Sequence, residues 1–222
     1  MTYSTNLLYR QVSMIVSLVW ARDNIRQHRC VVVSRGIGDA ISFSDHADFL
    51  PNMSPREIFS EGSFGGTYWR PIFSGVTSLR YADQHLEFDW WDGIDDALLI
   101  SDKYDKKLNR FGVKCGTSLD MWESKDWIRH QDPYGWVQWY CRFFSGRRSE
   151  DDDRQIRRWK AFAGEKGRFR NQLINLIISR GSNYDDESVS PVIRQSLQHW
   201  AYRLTKSDFE VASLEKWKSE MG

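Results

Sequence analysis

DPYGWVQWYCRFFSGRRSEDDDRQIRRWKAFAGEKGRFR, residues 132–170, holds the chain's densest run of tryptophan, arginine and aspartate. Trp136, Trp139, Tyr140 and Phe143 recur at i, i+3, i+4 and i+7, which is one face of a helix with an aromatic core stripe. Asp132 is expected to cap that helix, with Pro133 at its first position. Ser145-Gly146 ends it, because glycine takes the left-handed exit conformation at no cost. Ser149 is expected to cap a second helix, whose positive end suits the carboxylates of Glu150–Asp153. Ile156, Trp159 and Ala163 face inward along it. Gly164-Glu165-Lys166-Gly167 then makes a turn into a third helix with Phe169, Leu173, Leu176 and Ile177 on its apolar side.

Working towards the C-terminus, Ser190-Pro191 opens a helix with Ile193, Leu197, Trp200, Ala201 and Leu204 at helical spacing. Ser207 and Glu210 form a capping box for a terminal helix. Towards the N-terminus the signals thin out. Ser118–Ile128 reads as a helix capped by Ser118. Residues 75–117 carry charge without a clear period. Pro71 makes the segment Gly66–Ser74 extended or irregular. Ser54, Pro55 and Glu57 supply a cap, a first-turn proline and a capping box for one more helix. Arg35–Asp39 (RGIGD) lacks the third glycine of a dinucleotide fingerprint and is read as a turn. Leu8, Val12, Ile15, Val16 and Val19 lie on one helical face, and Cys30–Ser34 is a β-branched strand candidate.

The expected fold is therefore mainly α, a bundle of about six to eight helices with a few short strands or extended segments in the N-terminal third. Residues 1–45 are expected as an N-terminal helix and extension, and residues 46–222 as a single mainly helical domain. The length of 222 residues and a 41% hydrophobic composition suit a chain with a sizeable core. Three cysteines, far apart and odd in number, argue against a disulfide framework or a paired-cysteine zinc site and suit a reducing compartment. The apolar run 12–21 is too short to span a bilayer. The expectation is a cytoplasmic protein without a membrane partner.

A formal net charge of +1 gives no global case for a polyanionic partner. The distribution is less even. Residues 83–132 carry twelve acidic against seven basic side chains, while 142–170 carry ten basic against five acidic. Three constellations follow. Gly164 and Gly167, with Lys166, Arg168 and Arg170 beside them, allow a backbone to approach a phosphate, as in the phosphate-clamping loop of KH domains, and equally make an ordinary helix-helix turn. Arg142, Arg147, Arg148 and Arg158 supply guanidinium forks for phosphate, with Tyr68, Trp69 and Trp136 as stacking platforms. A solvated helix with local ion pairs accounts for the same arginines. Asp132 and Asp152 are candidates for acid–base chemistry, Asp132 also being a plain cap. No nucleophile elbow occurs, no metal-ligand set is assigned and no cofactor is implied.

The strings DPYGW-x-QWY-x-RF-x-x-GRR, DDDRQI-x-RW, GRFR and SPVIRQ-x-L-x-HW resemble a set of uncharacterised proteins of phages, large viruses, bacteria, algae and fungi. The resemblance covers roughly residues 51–204, implies that residues 1–45 are a variable extension, and carries no activity. The function expected from the residues is a nucleic-acid-associated protein. Its Arg/Trp-rich helical face and Gly-x-x-Gly turn would bind the phosphates of DNA or RNA, with action on nucleic-acid bases as an extension. The alternatives are a small-molecule hydrolase or transferase holding an anionic substrate with Arg142 and Arg148, or a non-catalytic interaction module. If Asp132, Arg148, Asp152 and Arg168 form one site, they must meet in one cleft.

Overall fold

The computed structural model of the protein describes residues 35–221. The expected N-terminal helix and the strand at 30–34 lie outside the described residues. Seven α-helices carry the fold: α1 (Pro55–Ser60), α2 (Leu119–Ser124), α3 (Trp136–Phe144), α4 (Asp152–Phe162), α5 (Arg168–Ser179), α6 (Pro191–His199) and α7 (Lys206–Met221). A two-stranded antiparallel hairpin, β1 (Ile72–Ser74) and β2 (Leu79–Tyr81), pairs Ile72 with Tyr81 and Ser74 with Leu79. The fold is mainly α, as the helical periodicities predict.

Helix α3 sits at the centre, and seven of its nine residues are buried, from Trp136 to Phe143. A helix buried on nearly all sides must satisfy its polar groups internally. Gln138 does so by accepting from the Tyr134 amide at 3.0 Å, and its own amide donates to the Tyr68 hydroxyl at 2.9 Å. The Tyr140 hydroxyl donates to the Met53 carbonyl at 2.8 Å. Phe49 lies against Trp139, Tyr140, Phe143 and Trp159, which ties the chain before α1 to α3 and α4. Helix α1 packs on α3, α4 on α5, and α5 on both α6 and α7. One hydrophobic cluster runs from Ile41 to Leu204, so Ile41 and Phe43, before the expected boundary at 45, already belong to it.

Several helix ends differ from expectation. Asp132 does not cap α3. Residues 132–135 form a turn in which the Gly135 amide donates to the Asp132 carbonyl at 2.8 Å, and the helix starts at Trp136. Gly135, at φ 83°, is in a conformation that L side chains rarely adopt. Asp151 precedes α4 without a side-chain cap, while Ser149 bonds Asp152 instead. Helix α6 stops at His199, and Ala201 turns the chain with φ 55°. Trp200 is thereby released from the helical stripe expected of it. At α7 the cap comes from Thr205, whose hydroxyl accepts from the Asp208 amide at 3.1 Å, in place of a box on Ser207. The box at α1 is as read: Ser54 accepts from Glu57 N, and Glu57 accepts from Ser54 N at 2.7 Å.

Candidate functional site

Asp132 is fully buried, and its carboxylate is enclosed by arginines. Arg147 donates to both oxygens, at 2.8 and 2.6 Å, and Arg142 donates to Oδ1 at 2.9 Å. Arg142 continues to Glu87 through Nε at 2.8 Å and Nη2 at 2.6 Å. The result is a chain of alternating charge, Glu87–Arg142–Asp132–Arg147. A buried carboxylate is tolerated only when paired and hydrogen-bonded in this way. Sequence reasoning assigns Asp132 to acid–base chemistry and Arg142 and Arg147 to phosphate. In the structure they neutralise one another and fasten α3 to the chain on either side.

Asp152 is likewise held by its neighbours. Its oxygens accept from Trp139 Nε1, the Ser149 hydroxyl and the Ser149 amide, each at 2.8 Å. Arg148 pairs with Asp45, donates to the Phe143 carbonyl at 2.9 Å and covers the Phe143 ring at 3.8 Å. Arg170 pairs with Asp208 at 2.8 Å and lies over Tyr202. Among the stacking candidates, Tyr68, Trp69 and Trp136 are all core residues with no face for a base. The glycines are packing residues. A Cβ on Gly164 would sit 2.8 Å from the Lys160 carbonyl oxygen, and one on Gly167 2.6 Å from the backbone of Phe162. Gly164 and Gly167 let the turn close on the end of α4, and both are buried.

Arg158, Lys166 and Arg168 stand apart from this scaffold. Arg158 is wedged between two indoles, 5.5 Å from the Trp127 ring and 5.3 Å from that of Trp200. Its hydrogen bond goes to the neutral Gln155 side chain at 2.8 Å. Burial, with Arg154 nearby, pulls its pKa down to about 10, since no bonded carboxylate stabilises the cation. From Trp200 the aromatic contacts continue. Phe162 stacks on Trp200 at 4.8 Å, Phe169 stacks on Phe162 at 4.0 Å, and the exposed Arg168 lies 4.9 Å from Phe169 and 5.5 Å from Phe162. Lys166 is exposed in the adjoining turn.

The order Trp127–Arg158–Trp200–Phe162–Phe169–Arg168 is thus a continuous ladder of flat groups with cations built into it. Four segments build it: the loop after α2, helix α4, the start of α5 and the end of α6. Trp127 is 43% exposed, so its indole is offered to solvent, as is that of Trp217 at 60%. The preceding residue, Asp126, has a left-handed backbone (φ 57°) that ends α2 and turns Trp127 outward. Sequence reasoning singles out Arg158 and Arg168 here but misses Trp127; it reads Trp200 as core-facing, and Trp200 does pack on Trp136 at 4.7 Å while its ring also joins the ladder. The signal for Trp127 is its lack of an apolar partner at helical spacing. For Trp200 no local signal exists.

Two further features bear on the alternatives. Cys115 Sγ lies 3.6 Å from His199 Nδ1 and 3.5 Å from Nε2, so the sulfur sits over the ring face and not in line with either nitrogen. Burial raises the Cys115 thiol to about 11 and lowers His199 to about 4, while His199 Nε2 bonds the Ser63 carbonyl. Both are neutral at pH 7, the opposite of an activated thiolate–imidazolium pair. A cavity of about 230 Å³ opens beside Arg110, Tyr184, Arg194 and Arg203, with Glu61 and Glu187 balancing their charge. Neither Arg142 nor Arg148 lines it. Among the described residues no group of three or more metal-ligating side chains converges, and no helix is long and apolar enough to cross a membrane. No family model matches the chain, and no curated protein or solved structure matches it either.

Proposed function

We propose that this protein is a nucleic-acid-associated protein whose contact surface is the ladder from Trp127 to Arg168. One observation carries the reading. Arg158 is a half-buried cation held between two tryptophans with no carboxylate in hydrogen-bond or ion-pair contact among the described residues, Asp151 acting on it only from a distance. Placing a charge in partly desolvated surroundings without an opposite charge costs stability. A phosphate arriving at Arg158 supplies a counter-charge in direct contact, and the neighbouring indole face supplies a surface on which a base stacks. Arg168 and Lys166 extend the cationic track along the turn between α4 and α5. Asp132 and Asp152 serve as scaffold in this reading, and the activity is binding. The free thiols of Cys115 and Cys141 accord with a reducing, cytoplasmic setting.

The experiment is fluorescence anisotropy with labelled DNA and RNA oligonucleotides at 20–200 mM salt. Binding that weakens steeply with salt is the expected result, because displaced counterions make phosphate contacts salt-dependent. Absence of binding to any oligonucleotide at the lowest salt overturns the proposal.

A further inference from the structure

The number of uncommitted cations on the ladder sets what kind of nucleic acid it takes. Arg158, Lys166 and Arg168 form no ion pair among the described residues, whereas their neighbours Arg154, Lys160 and Arg170 pair with Asp151, Asp48 and Asp208. Three phosphate contacts give a modest electrostatic affinity. A duplex, whose bases are hidden in the stack, offers this surface little else. A duplex binder instead relies on roughly 6–10 such contacts, and its slope of log affinity against log salt is correspondingly steep. The acidic start of α4, with Asp153 exposed, and the exposed Asp126 beside Trp127 make a broad duplex-binding face less favourable still.

The aromatic part of the ladder is the complementary term. An unpaired base stacked on an aromatic side chain is worth about 1–3 kcal/mol, comparable to several phosphate contacts at moderate salt. Trp127 offers an exposed indole, and the half-buried Trp200, Phe162 and Phe169 continue the row. Resting on the nucleic-acid reading above, we infer that the ligand is single-stranded: a short stretch whose phosphates track Arg158, Lys166 and Arg168 while at least one base stacks on Trp127. The contact needs no base-edge recognition, so it tolerates sequence.

The test compares one 12-nucleotide sequence as single-stranded DNA, single-stranded RNA and duplex DNA, by anisotropy at 50 mM salt. The single strands are expected to bind at least about tenfold more tightly than the duplex, with a log–log slope over 50–200 mM salt of about −2, the value for three phosphates on a single strand. Trp127→Ala is expected to remove about tenfold of that affinity, and Trp127→Phe, which keeps a ring, to recover most of it. Circular dichroism and the melting temperature establish that both variants are folded. Should Trp127→Ala prove unfolded, Arg158→Gln reads the same surface through its charge. A difference between DNA and RNA strands identifies the source of the ligand, and either preference supports the inference. Duplex binding as tight as single-strand binding overturns the inference while leaving the nucleic-acid reading intact. Binding of none of the three overturns both.

Discussion

Arg147 meets Asp132 fork to fork, its two terminal nitrogens 2.8 and 2.6 Å from the two carboxylate oxygens, at a site where Asp132 is shut off from solvent. Removing the carboxylate leaves Arg147 without a charged partner and Arg142 with Glu87 alone. Breaking a buried pair from one side costs about 3–5 kcal/mol. Asp132→Asn is therefore expected to lower the unfolding free energy by that amount in urea denaturation. A loss below about 1 kcal/mol would show that water reaches the pair and that Asp132 is free for other roles.

The turn between α4 and α5 separates a packing role from a phosphate-clamping one. Gly167 has φ −64°, which any residue adopts, so the whole cost of Gly167→Ala comes from a Cβ placed 2.6 Å from the Phe162 backbone. Overpacking of that kind costs about 1–3 kcal/mol. The variant is expected to melt earlier, while oligonucleotide affinity measured well below its transition stays at the parental value. Loss of affinity at unchanged stability would return the Gly-x-x-Gly turn to the binding surface.

What was legible in the chain followed its local period. The aromatic stripe of α3 could be read because Trp136, Trp139, Tyr140 and Phe143 all bury on one short helix. Its start was not, since an Asp-Pro pair has the same composition in a cap as in the Asp132–Gly135 turn. The arginines were harder. Sequence supplies their charge but not their partners, and the partner decides the role: Arg148 reaches Asp45, 103 residues away, while Arg158 reaches no carboxylate. The ladder was illegible for the same reason. Trp127, Arg158 and Trp200 come together only because Ala201 ends α6 in a left-handed turn and Trp159 Nε1 holds the Trp200 carbonyl at 2.8 Å.

His199 gives the protein a predictable acid sensitivity. Burial lowers its pKa from 6.5 to about 4 in the folded state. Between those values the unfolded chain binds a proton that the folded one refuses, so stability rises with pH across the window and is lost as pH falls through it. Cys115, over the ring, stays neutral throughout because its thiol titrates near 11. Denaturation at pH 7 and pH 4.5 is expected to differ by about 2–3 kcal/mol from this group alone, at 1.36 kcal/mol per unit. His199→Gln, which cannot titrate, should flatten the dependence, and an unchanged slope in that variant would place the proton elsewhere.

Arg148 and Arg158 provide the sharpest contrast, because composition treats them alike and geometry does not. Arg148 is spent on the scaffold, covering Phe143 at 3.8 Å and binding Asp45 and the Phe143 carbonyl. Its replacement by alanine forfeits a close cation–π contact and a hydrogen bond to the end of α3, a loss of about 1–2 kcal/mol of stability. Oligonucleotide affinity should be untouched. Arg158→Ala loses a hydrogen bond to Gln155 and two indole contacts but also relieves a partly desolvated cation with no carboxylate in contact, and these offset, so stability should move by less than about 1 kcal/mol. Affinity should fall about tenfold, since a hydrogen bond to a charged group contributes about 1.5–3 kcal/mol. Thermal melts and anisotropy on the two variants check both halves. The reverse pattern, with Arg158→Ala unfolding and Arg148→Ala losing ligand, would move the binding surface from the ladder to the GRR turn at residues 146–148.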